Sequence, residues 1–219
     1  MNIPFSFVFD LDGVLLDSET DIAWLNRAAE RTLAHFGIEN LQQNLESLYA
    51  KNVKRFKEIS HELGIEASAL WPIRNQFYTE EKLLAMKQGS IKPFSDVKEI
   101  YKLQREYELS IISNSPQSVV DLFINDFGFS DLFSFGIGRG DSLTDIEHMK
   151  PHPFLFTRFL ERTSATSYMY IGDRPSDRVF AENTGMRFAL IDRFDNQNDG
   201  FSTLSDLVDH ILSKKELYR

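Results

Sequence analysis

Short apolar runs rich in aromatic and β-branched residues recur along the chain, and each ends at polar or turn-forming residues. Runs of this length are typical of buried strands rather than helices. The predicted strands are 5–9, 109–112, 133–137, 168–171 and 188–191. Helical spacing of apolar residues predicts helices between them, at 96–107, 117–127, 153–162 and 177–184. Strands that alternate with helices indicate βαβ units around a parallel sheet.

The stretch from Asp17 to about Lys92 has a different pattern, without a convincing strand. Its apolar spacing predicts helices at 18–36, 40–49, 51–63, 66–72 and 74–88, with glycines as natural breaks. Pro93 marks the linker that returns to the sheet. We therefore predict an α/β fold with a core of residues 1–16 and 92–219. Residues 17–91 form an α-helical cap over the carboxyl ends of the strands, where open α/β sheets bind ligands.

Composition narrows the function classes that fit this fold. The 219 residues include no cysteine, which excludes disulfide scaffolds, thiol catalysis and cysteine-based metal sites. A formal charge of −9 argues against sequence-independent nucleic-acid binding, which needs a positive field. No apolar run approaches the roughly 18 residues of a membrane span, and the N-terminus lacks the features of a signal peptide. A cytoplasmic protein that binds neither nucleic acid nor membrane is expected.

Two carboxylates follow the first predicted strand, where Asp10 and Asp12 are succeeded at once by Gly13. Residues two apart on an extended chain point the same way, so both side chains can address one small volume. Adjacent carboxylates repel unless a cation or a shared proton compensates them. Magnesium, which prefers oxygen ligands, is a natural partner. The alternative is that the aspartates only cap a strand-to-turn transition.

Candidate phosphate ligands occur in two further segments. Ser113 and Asn114 emerge after the second predicted strand of the core, where they can donate hydrogen bonds to phosphate oxygens. Both are also residues that commonly cap a helix, and one is predicted from Gln117. Lys150 lies before Pro151 and can neutralise a phosphoryl group, although most lysines are simply solvated.

A second acidic pair follows the strand that ends at Gly172. Asp173 and Asp177 are four residues apart, which places them on one face once the helix has formed. Asp177 is equally well explained as a first-turn acid that complements the helix dipole. Taken together, the segments supply a nucleophile, a general acid, a phosphate clamp and metal ligands.

In these motifs the chain resembles the haloacid dehalogenase superfamily of phosphatases, in its phosphoglycolate phosphatase and phosphomutase-like branch. The matching motifs are FDLDGVLLDSE at 9–19, SNS at 113–115, KPHP at 150–153 and GDRPSD at 172–177. The resemblance covers about residues 5 to 192. It implies a Rossmann-like parallel-sheet core with an inserted α-helical cap domain, and a magnesium-dependent phosphatase that acts on small phosphate monoesters.

The resemblance also implies the roles of individual residues. Asp10 would be the nucleophile that forms an aspartyl-phosphate, and Asp12 would act first as general acid and then as general base. The magnesium ligands would be the Asp10 carboxylate, the Asp12 backbone carbonyl and Asp173, with Asp177 supporting the metal or orienting Lys150. Phosphoryl oxygens would be bound by Ser113, Asn114 and Lys150. The partner would be a small phosphorylated metabolite, and the protein a monomer or homodimer.

Alternatives follow from residues that depart from the family pattern. A sugar phosphomutase of the same branch carries a cap histidine where this chain has Ile22, which weakens that interpretation. A non-hydrolytic phosphoacceptor or binding protein would not need Asp12. Dehalogenases lack this second aspartate altogether.

Two further residues depart from the family pattern. Arg174 adds a positive charge near the site, and Asp96 stands where relatives commonly have glycine. Cationic residues within 51–57 fit an acidic substrate or an ordinary solvated helix face.

Overall fold

The computed structural model describes residues 5–38, 48, 53–193 and 200–218. Numbered along the chain, the strands in this part are β1 (Phe5–Phe9), β2 (Leu16–Asp17), β3 (Lys92–Pro93), β4 (Glu108–Pro116), β5 (Phe135–Arg139), β6 (Ser167–Gly172) and β7 (Arg187–Leu190). The α-helices are α1 (Ala23–His35), α2 (Val53–Glu62), α3 (Ala67–Gln88), α4 (Gln117–Asp126), α5 (Phe154–Leu160), α6 (Pro175–Thr184) and α7 (Leu204–Ser213). Short 3₁₀ helices span Val97–Lys102, Leu143–Ile146 and Lys215–Tyr218.

Five strands form one parallel sheet in the order β5-β4-β1-β6-β7. The central strand is β1, in which Phe7 pairs with Leu109 on one side and with Met169 on the other. All five residues of β1 are buried, as expected for a parallel strand covered on both faces. The predicted Rossmann-like α/β core is therefore confirmed. Each predicted strand is present, with ends displaced by at most four residues.

Helices cover both faces of this sheet, because successive side chains of each strand point to opposite sides. Phe7 and Phe9 belong to the hydrophobic cluster that includes apolar residues of α4 and α7. Val8 points to the other face, in the cluster that includes residues of α5 and α6. The core is thus a three-layer arrangement that leaves the carboxyl ends of the strands free to carry polar residues.

The helix predicted at 96–107 is wrong in type and length, since the chain forms a 3₁₀ helix at Val97–Lys102 followed by turns. Its buried positions, Val97, Ile100 and Leu103, recur every three residues, which matches three residues per turn. Helix α7 was not among the predicted elements. It begins at an N-cap threonine, Thr203, whose hydroxyl accepts from the Asp206 amide.

The insert between β2 and β3 is helical, but its last two predicted helices are one. Helix α3 continues through Pro72, contrary to the predicted break after 72. Proline removes a single backbone donor, and the buried Leu70 and Trp71 beside it anchor the helix across that point. Gly89 ends α3 in the left-handed conformation, as predicted. The predicted helix at 40–49 lies outside the described residues, apart from residue 48, as does the start of the one at 51–63.

The two chain segments that connect insert and core lie side by side. Leu16 pairs antiparallel with Pro93, and Asp17 with Lys92, in a two-stranded ribbon of β2 and β3. The division into a core of 1–16 and 92–219 and a cap of 17–91 stays a prediction.

Among the described helices, none combines the length and apolar composition needed to cross a membrane. The cytoplasmic location and the monomeric or homodimeric state also stay predictions.

Candidate active site

The polar segments predicted from the sequence meet at one edge of the sheet, where parallel strands end. They line a cavity of about 550 Å³ that lies between this edge and the helices α1 and α3. Its lining includes all the predicted site residues except Asp173: Asp10, Asp12, Ser113, Asn114, Lys150 and Asp177. The structure therefore brings together residues that are far apart in the sequence.

Asp10 is buried directly after β1 and is held from two sides. Its Oδ2 lies 2.9 Å from Nζ of Lys150, and its Oδ1 accepts a hydrogen bond of 2.8 Å from the Leu11 amide. Burial raises the pKa of Asp10 to about 6; the Lys150 ammonium opposes this, and the neighbouring carboxylates of Asp177 and Asp12 add to it. Both oxygens of Asp10 are thus held by the protein, and the carboxylate lines the cavity.

Lys150 lies at the centre of a buried polar network. Its Nζ donates to Oδ1 of Asp177 at 2.9 Å and to the Tyr170 hydroxyl, in addition to its contact with Asp10. Burial lowers the pKa of Lys150, but the charges of Asp10 and Asp177 outweigh it and the net shift is upward. The lysine therefore stays cationic beside the Asp10 carboxylate.

Asn114 holds the main chain of this lysine. Its Oδ1 accepts from the Lys150 amide at 2.7 Å, and its Nδ2 donates to the Lys150 carbonyl at 3.1 Å. The Asn114 side chain positions Lys150, and its predicted contact with phosphoryl oxygens stays a prediction. Ser113 is buried at the cavity wall, and its Oγ accepts from the Ser115 amide at 3.1 Å.

Asp12 is bound by three donors on two sides. Oδ1 accepts from Ser18 at 2.6 Å and from Nζ of Lys82 at 2.5 Å, while Oδ2 accepts from Ser115 at 2.6 Å. Burial raises the pKa of Asp12, but the Lys82 ammonium and these hydrogen bonds outweigh it and lower the pKa to about 2. Asp12 is consequently ionised in this arrangement. The pKa of Asp10, in contrast, is raised.

Asp10 also belongs to a cluster of three carboxylates. One oxygen each of Asp10, Asp173 and Asp177 lies within 4.8 Å of the others. Burial raises the pKa of Asp173 to about 8, and the charges of Asp10 and Asp177 raise it as well. Oδ1 of Asp173 is buried and has no hydrogen-bond partner. An unpartnered buried oxygen among like charges fits a divalent cation that prefers oxygen ligands.

The structure explains why a glycine, Gly13, follows the first acidic pair. A Cβ atom on this residue would lie 2.2 Å from Oδ2 of Asp173, and its φ of +79° is in the left-handed region. Glycine thus lets the chain turn after Asp12 and lets the carboxylate of Asp173 approach the backbone. Asp177 lies in the first turn of α6, as the alternative interpretation expected, and its carboxylate also accepts from the Arg174 amide at 3.2 Å.

Sequence reasoning missed several residues of the site. Lys82 contacts Asp12 from α3, Tyr170 contacts Lys150 from β6, and Arg139 lines the cavity from the end of β5. A signal for Lys82 was present in the sequence. It follows Trp71 and Tyr78 at helical spacing, so a lysine stands on the apolar face of its helix.

Arg174, the additional cation noted in the sequence, lies at the cavity mouth and is paired. Its guanidinium forms an ion pair with Glu19 and lies 3.5 Å from Oδ2 of Asp173. The side chain is 36% exposed, so these contacts are screened by solvent. The arginine thus partly balances the acidic cluster from outside.

The fold and this site define a class of hydrolase. The family described as haloacid dehalogenase-like hydrolase matches residues 7–191, and the chain belongs to that family. It is an enzyme with a Rossmann-like core. It has Asp12, the second aspartate that the dehalogenases of this superfamily lack.

Individual relatives agree with this assignment. The phosphoglycolate phosphatase of Vibrio vulnificus (strain YJ016) is 28% identical over 191 residues, covering 81% of this chain and 78% of the relative. That of Cereibacter sphaeroides (strain ATCC 17025 / ATH 2.4.3) is 26% identical, covering 84% and 83%. The chain is therefore related to phosphoglycolate phosphatases along most of its length.

Solved structures show the same fold. A hydrolase of the same superfamily, subfamily IA, from Geobacter sulfurreducens superposes with a TM-score of 0.61 at 18% identity, covering 96% of this chain and 97% of that one. CbbY from Rhodobacter sphaeroides, solved in complex with phosphate, gives a TM-score of 0.64 at 17% identity and covers 90% of each chain. At these identities the likeness concerns the fold alone.

Proposed function

We propose that this protein is a magnesium-dependent phosphatase that hydrolyses small phosphate monoesters through an aspartyl-phosphate on Asp10. The observation that carries the proposal is the arrangement around Asp10. One of its oxygens lies 2.9 Å from the Lys150 ammonium, and one lies within 4.8 Å of Asp173 and Asp177 oxygens. A nucleophile, a fixed cation and a metal-type donor set thus share one cavity.

Asp10 and Asp173 would hold the magnesium, with the Asp12 backbone carbonyl as the third protein ligand that the family resemblance implies. Bound magnesium supplies positive charge that neutralises phosphoryl oxygens during transfer. The unpartnered Oδ1 of Asp173 and the raised pKa values of Asp10 and Asp173 support this placement. Asp177 supports the site by binding Lys150.

In the first step, a carboxylate oxygen of Asp10 attacks phosphorus and the bond from phosphorus to the leaving oxygen breaks. Asp12, which takes up a proton from solvent once Lys82 has moved away, gives that proton to the leaving oxygen, so the alcohol leaves neutral. Lys150 stays in contact with Asp10 and stabilises the negative charge on the phosphoryl oxygens, together with Ser113. Because the Lys82 contact favours ionised Asp12, Lys82 must move away from Asp12 for this step.

In the second step, Asp12 takes a proton from water, and the water oxygen attacks phosphorus. The bond between phosphorus and Asp10 breaks, which releases phosphate and restores the carboxylate. The ionised state of Asp12 that this step needs is the one favoured by Lys82, Ser18 and Ser115. The network around Asp12 thus prepares the base.

The cavity and the relatives support a small substrate. A volume of about 550 Å³ is within the usual range for a site that binds a small molecule. The relatives named above are phosphoglycolate phosphatases. Phosphoglycolate is therefore the first substrate to test, followed by sugar phosphates.

The test is phosphate release from a panel of small phosphomonoesters, with magnesium and with a chelator. We expect magnesium-dependent release by the wild type and a loss of about 10³-fold or more in Asp10→Asn, because the amide is isosteric but not nucleophilic. Asp126→Asn, at the exposed end of α4, is the matched control and keeps full activity. Absence of release from every ester would overturn the proposal.

The panel also separates the alternatives. A phosphomutase would convert a hexose phosphate into its isomer without releasing phosphate. A phosphoacceptor would accumulate a long-lived phosphate on Asp10. Ile22, at the position of the mutases' cap histidine, lines the cavity and is half exposed, so no imidazole is present there. This residue supports hydrolysis over transfer between sugar positions.

A further inference from the structure

A buried arginine shares the cavity with Asp10 and has no task in the proposed phosphoryl transfer. Arg139 ends β5, where it is in register with Pro116 of β4, and it is only 3% exposed. β1, β4 and β5 are neighbours in the sheet. Arg139 is two strands away from Asp10 and two residues further along the strand direction, so their main chains are roughly 12 Å apart at about 4.8 Å per strand and about 3.3 Å per residue.

The partners of this guanidinium are neutral. It donates to the Gly140 carbonyl at 2.9 Å and to Oδ1 of Asn75 at 2.5 Å. In the described part of the chain, no carboxylate lies within 4.0 Å of it. The two buried lysines of the same cavity differ, since Lys82 contacts Asp12, and Lys150 contacts two aspartates.

The acidic residues that follow β5 make no direct ion pair with Arg139, and their charges only partly offset the burial that lowers its pKa. Asp141 accepts from Nδ2 of Asn75 at 3.0 Å, and Asp145 accepts from the main chain of Ser142 at 2.8 Å. Aromatic rings complete the surroundings of Arg139, whose guanidinium carbon lies 5.3 Å from the Trp71 ring centroid and 5.8 Å from that of Tyr78. These contacts orient the guanidinium, and burial outweighs the charges of Asp141 and Asp145 that favour its charged form.

A buried cation without a direct ion-pair partner is costly, and a ligand anion that pairs with it offsets that cost. The planar fork of arginine matches the two oxygens of a carboxylate. We infer that Arg139 binds a carboxylate on the part of the substrate that is not transferred. The substrate class is then short phosphate monoesters of hydroxy acids. This inference rests on the proposed phosphatase function and names the substrate of the same site.

A purely structural role is the competing explanation. Arg139 joins the core to α3 through Asn75, and Trp71 of the same helix donates to the Asp141 carbonyl at 2.8 Å. If Arg139 only holds α3 against the core, its loss lowers the turnover of every ester to the same extent. If it binds a substrate carboxylate, the loss is confined to esters that carry one.

The experiment compares two esters that differ at one group, phosphoglycolate and hydroxyethyl phosphate, in which a hydroxymethyl group replaces the carboxylate. Steady-state kcat and KM are measured with magnesium for wild type, Arg139→Gln and Arg139→Lys. Arg162→Gln is the control, because Arg162 is an exposed arginine against an aromatic ring, that of Phe135. Hydroxyethyl phosphate turnover reports whether each variant folds and retains its chemistry.

We expect Arg139→Gln to lower kcat/KM for phosphoglycolate by about 10- to 100-fold, mainly through KM, the usual range for a lost hydrogen-bonded charge contact. The value for hydroxyethyl phosphate stays within about threefold, and Arg139→Lys retains part of the preference. Equal losses on both esters, or a wild type without preference for the carboxylate, would overturn the inference alone. A wild type that hydrolyses neither ester nor any other of the panel would overturn the proposed function itself.

Discussion

Nζ of Lys82 lies 2.5 Å from Oδ1 of Asp12, which joins a helix of the insert to the carboxylate assigned as acid and base. Lys82 is 1% exposed, and its ammonium also lies 5.3 Å from the centroid of the Trp24 ring. Burial lowers the pKa of Lys82, but the Asp12 charge outweighs it and raises the pKa. The protonation of Asp12 is thus set by a residue some seventy positions away.

Replacing Lys82 by methionine is expected to change the pH profile of phosphate release. Without the ammonium, burial raises the pKa of Asp12 above its present value of about 2, because the largest opposing charge is gone. Ionised Asp12 is needed to accept a proton from water in the second step, when Asp10 already carries the phosphate, so the acid limb of aspartyl-phosphate hydrolysis moves upward by at least about one pH unit. The decay of the aspartyl-phosphate, formed at one pH and followed after a jump to others, provides the test.

Two variants control for this effect. Lys82→Arg retains the positive charge and keeps the acid limb close to that of the wild type. Lys57→Met makes the same chemical change on an exposed face of α2 and leaves the profile unaltered. An acid limb that stays in place in Lys82→Met would contradict the assigned coupling to Asp12.

Asp173→Asn is expected to remove the response to magnesium while stabilising the cation-free protein at high pH. The folded-state pKa of Asp173 is raised from 3.8 to about 8, so the folded state holds a proton that the unfolded state has lost. Stability from this group is therefore present below about pH 4 and is lost as pH rises to about 8. The neutral amide avoids that loss.

Thermal unfolding with and without magnesium checks this prediction. Magnesium raises the Tm of the wild type, increasingly so at higher pH because the ligands are then ionised, but not that of Asp173→Asn. Asp131→Asn, an exposed aspartate that accepts from Tyr101, should respond to magnesium as the wild type does. Equal magnesium responses in wild type and Asp173→Asn would exclude Asp173 as a ligand.

Tyr170→Phe is expected to lower kcat about 10-fold by loosening Lys150. The Tyr170 hydroxyl accepts from Lys150 and donates to the Ile112 carbonyl at 2.8 Å, so it fixes the lysine relative to the middle of β4. Tyr168→Phe, on the same strand with its hydroxyl bound to the Ala165 carbonyl, is the matched control. Equal kcat values in Tyr170→Phe and the control would show that Asp10 and Asp177 suffice to hold Lys150.

Asp96→Asn is expected to destabilise the fold by about 3 kcal/mol, because it removes the ionised partner of Arg193, whose side chain is only 9% exposed. Both oxygens of Asp96 bind Arg193, at 2.9 Å and 3.0 Å, and one also accepts from the Leu204 amide at the start of α7. The Tm should fall by roughly 6 to 12 °C. Asp209→Asn, which removes an exposed charge 3.9 Å from Lys102, should change the Tm very little.

Local patterns in the sequence were sufficient to predict the core of this protein. The five strands depend on short apolar runs that are buried in any parallel sheet, so composition alone identifies them. Asp10, Asp12, Asp173 and Lys150 follow or adjoin such elements, and the edge where parallel strands end brings their side chains together. The order of strands and helices was therefore enough to predict that most residues of the candidate site lie at this edge of the sheet.

Other features depended on contacts between distant segments. Helix α3 passes through Pro72 because Leu70 and Trp71 are buried, which no single-helix pattern reveals. The segment at 97–102 became a 3₁₀ helix through its packing on the core.

The sequence by itself determined the α/β class, the motif aspartates and the family, because these depend on residue type and short-range spacing. Only the tertiary structure decided that Lys82 meets Asp12 and that Arg139 reaches the cavity without a carboxylate partner in the described residues. The physical reason is that burial and neighbouring charges set the energy of an ionised side chain. Both quantities arise only when the helical insert packs against the sheet edge.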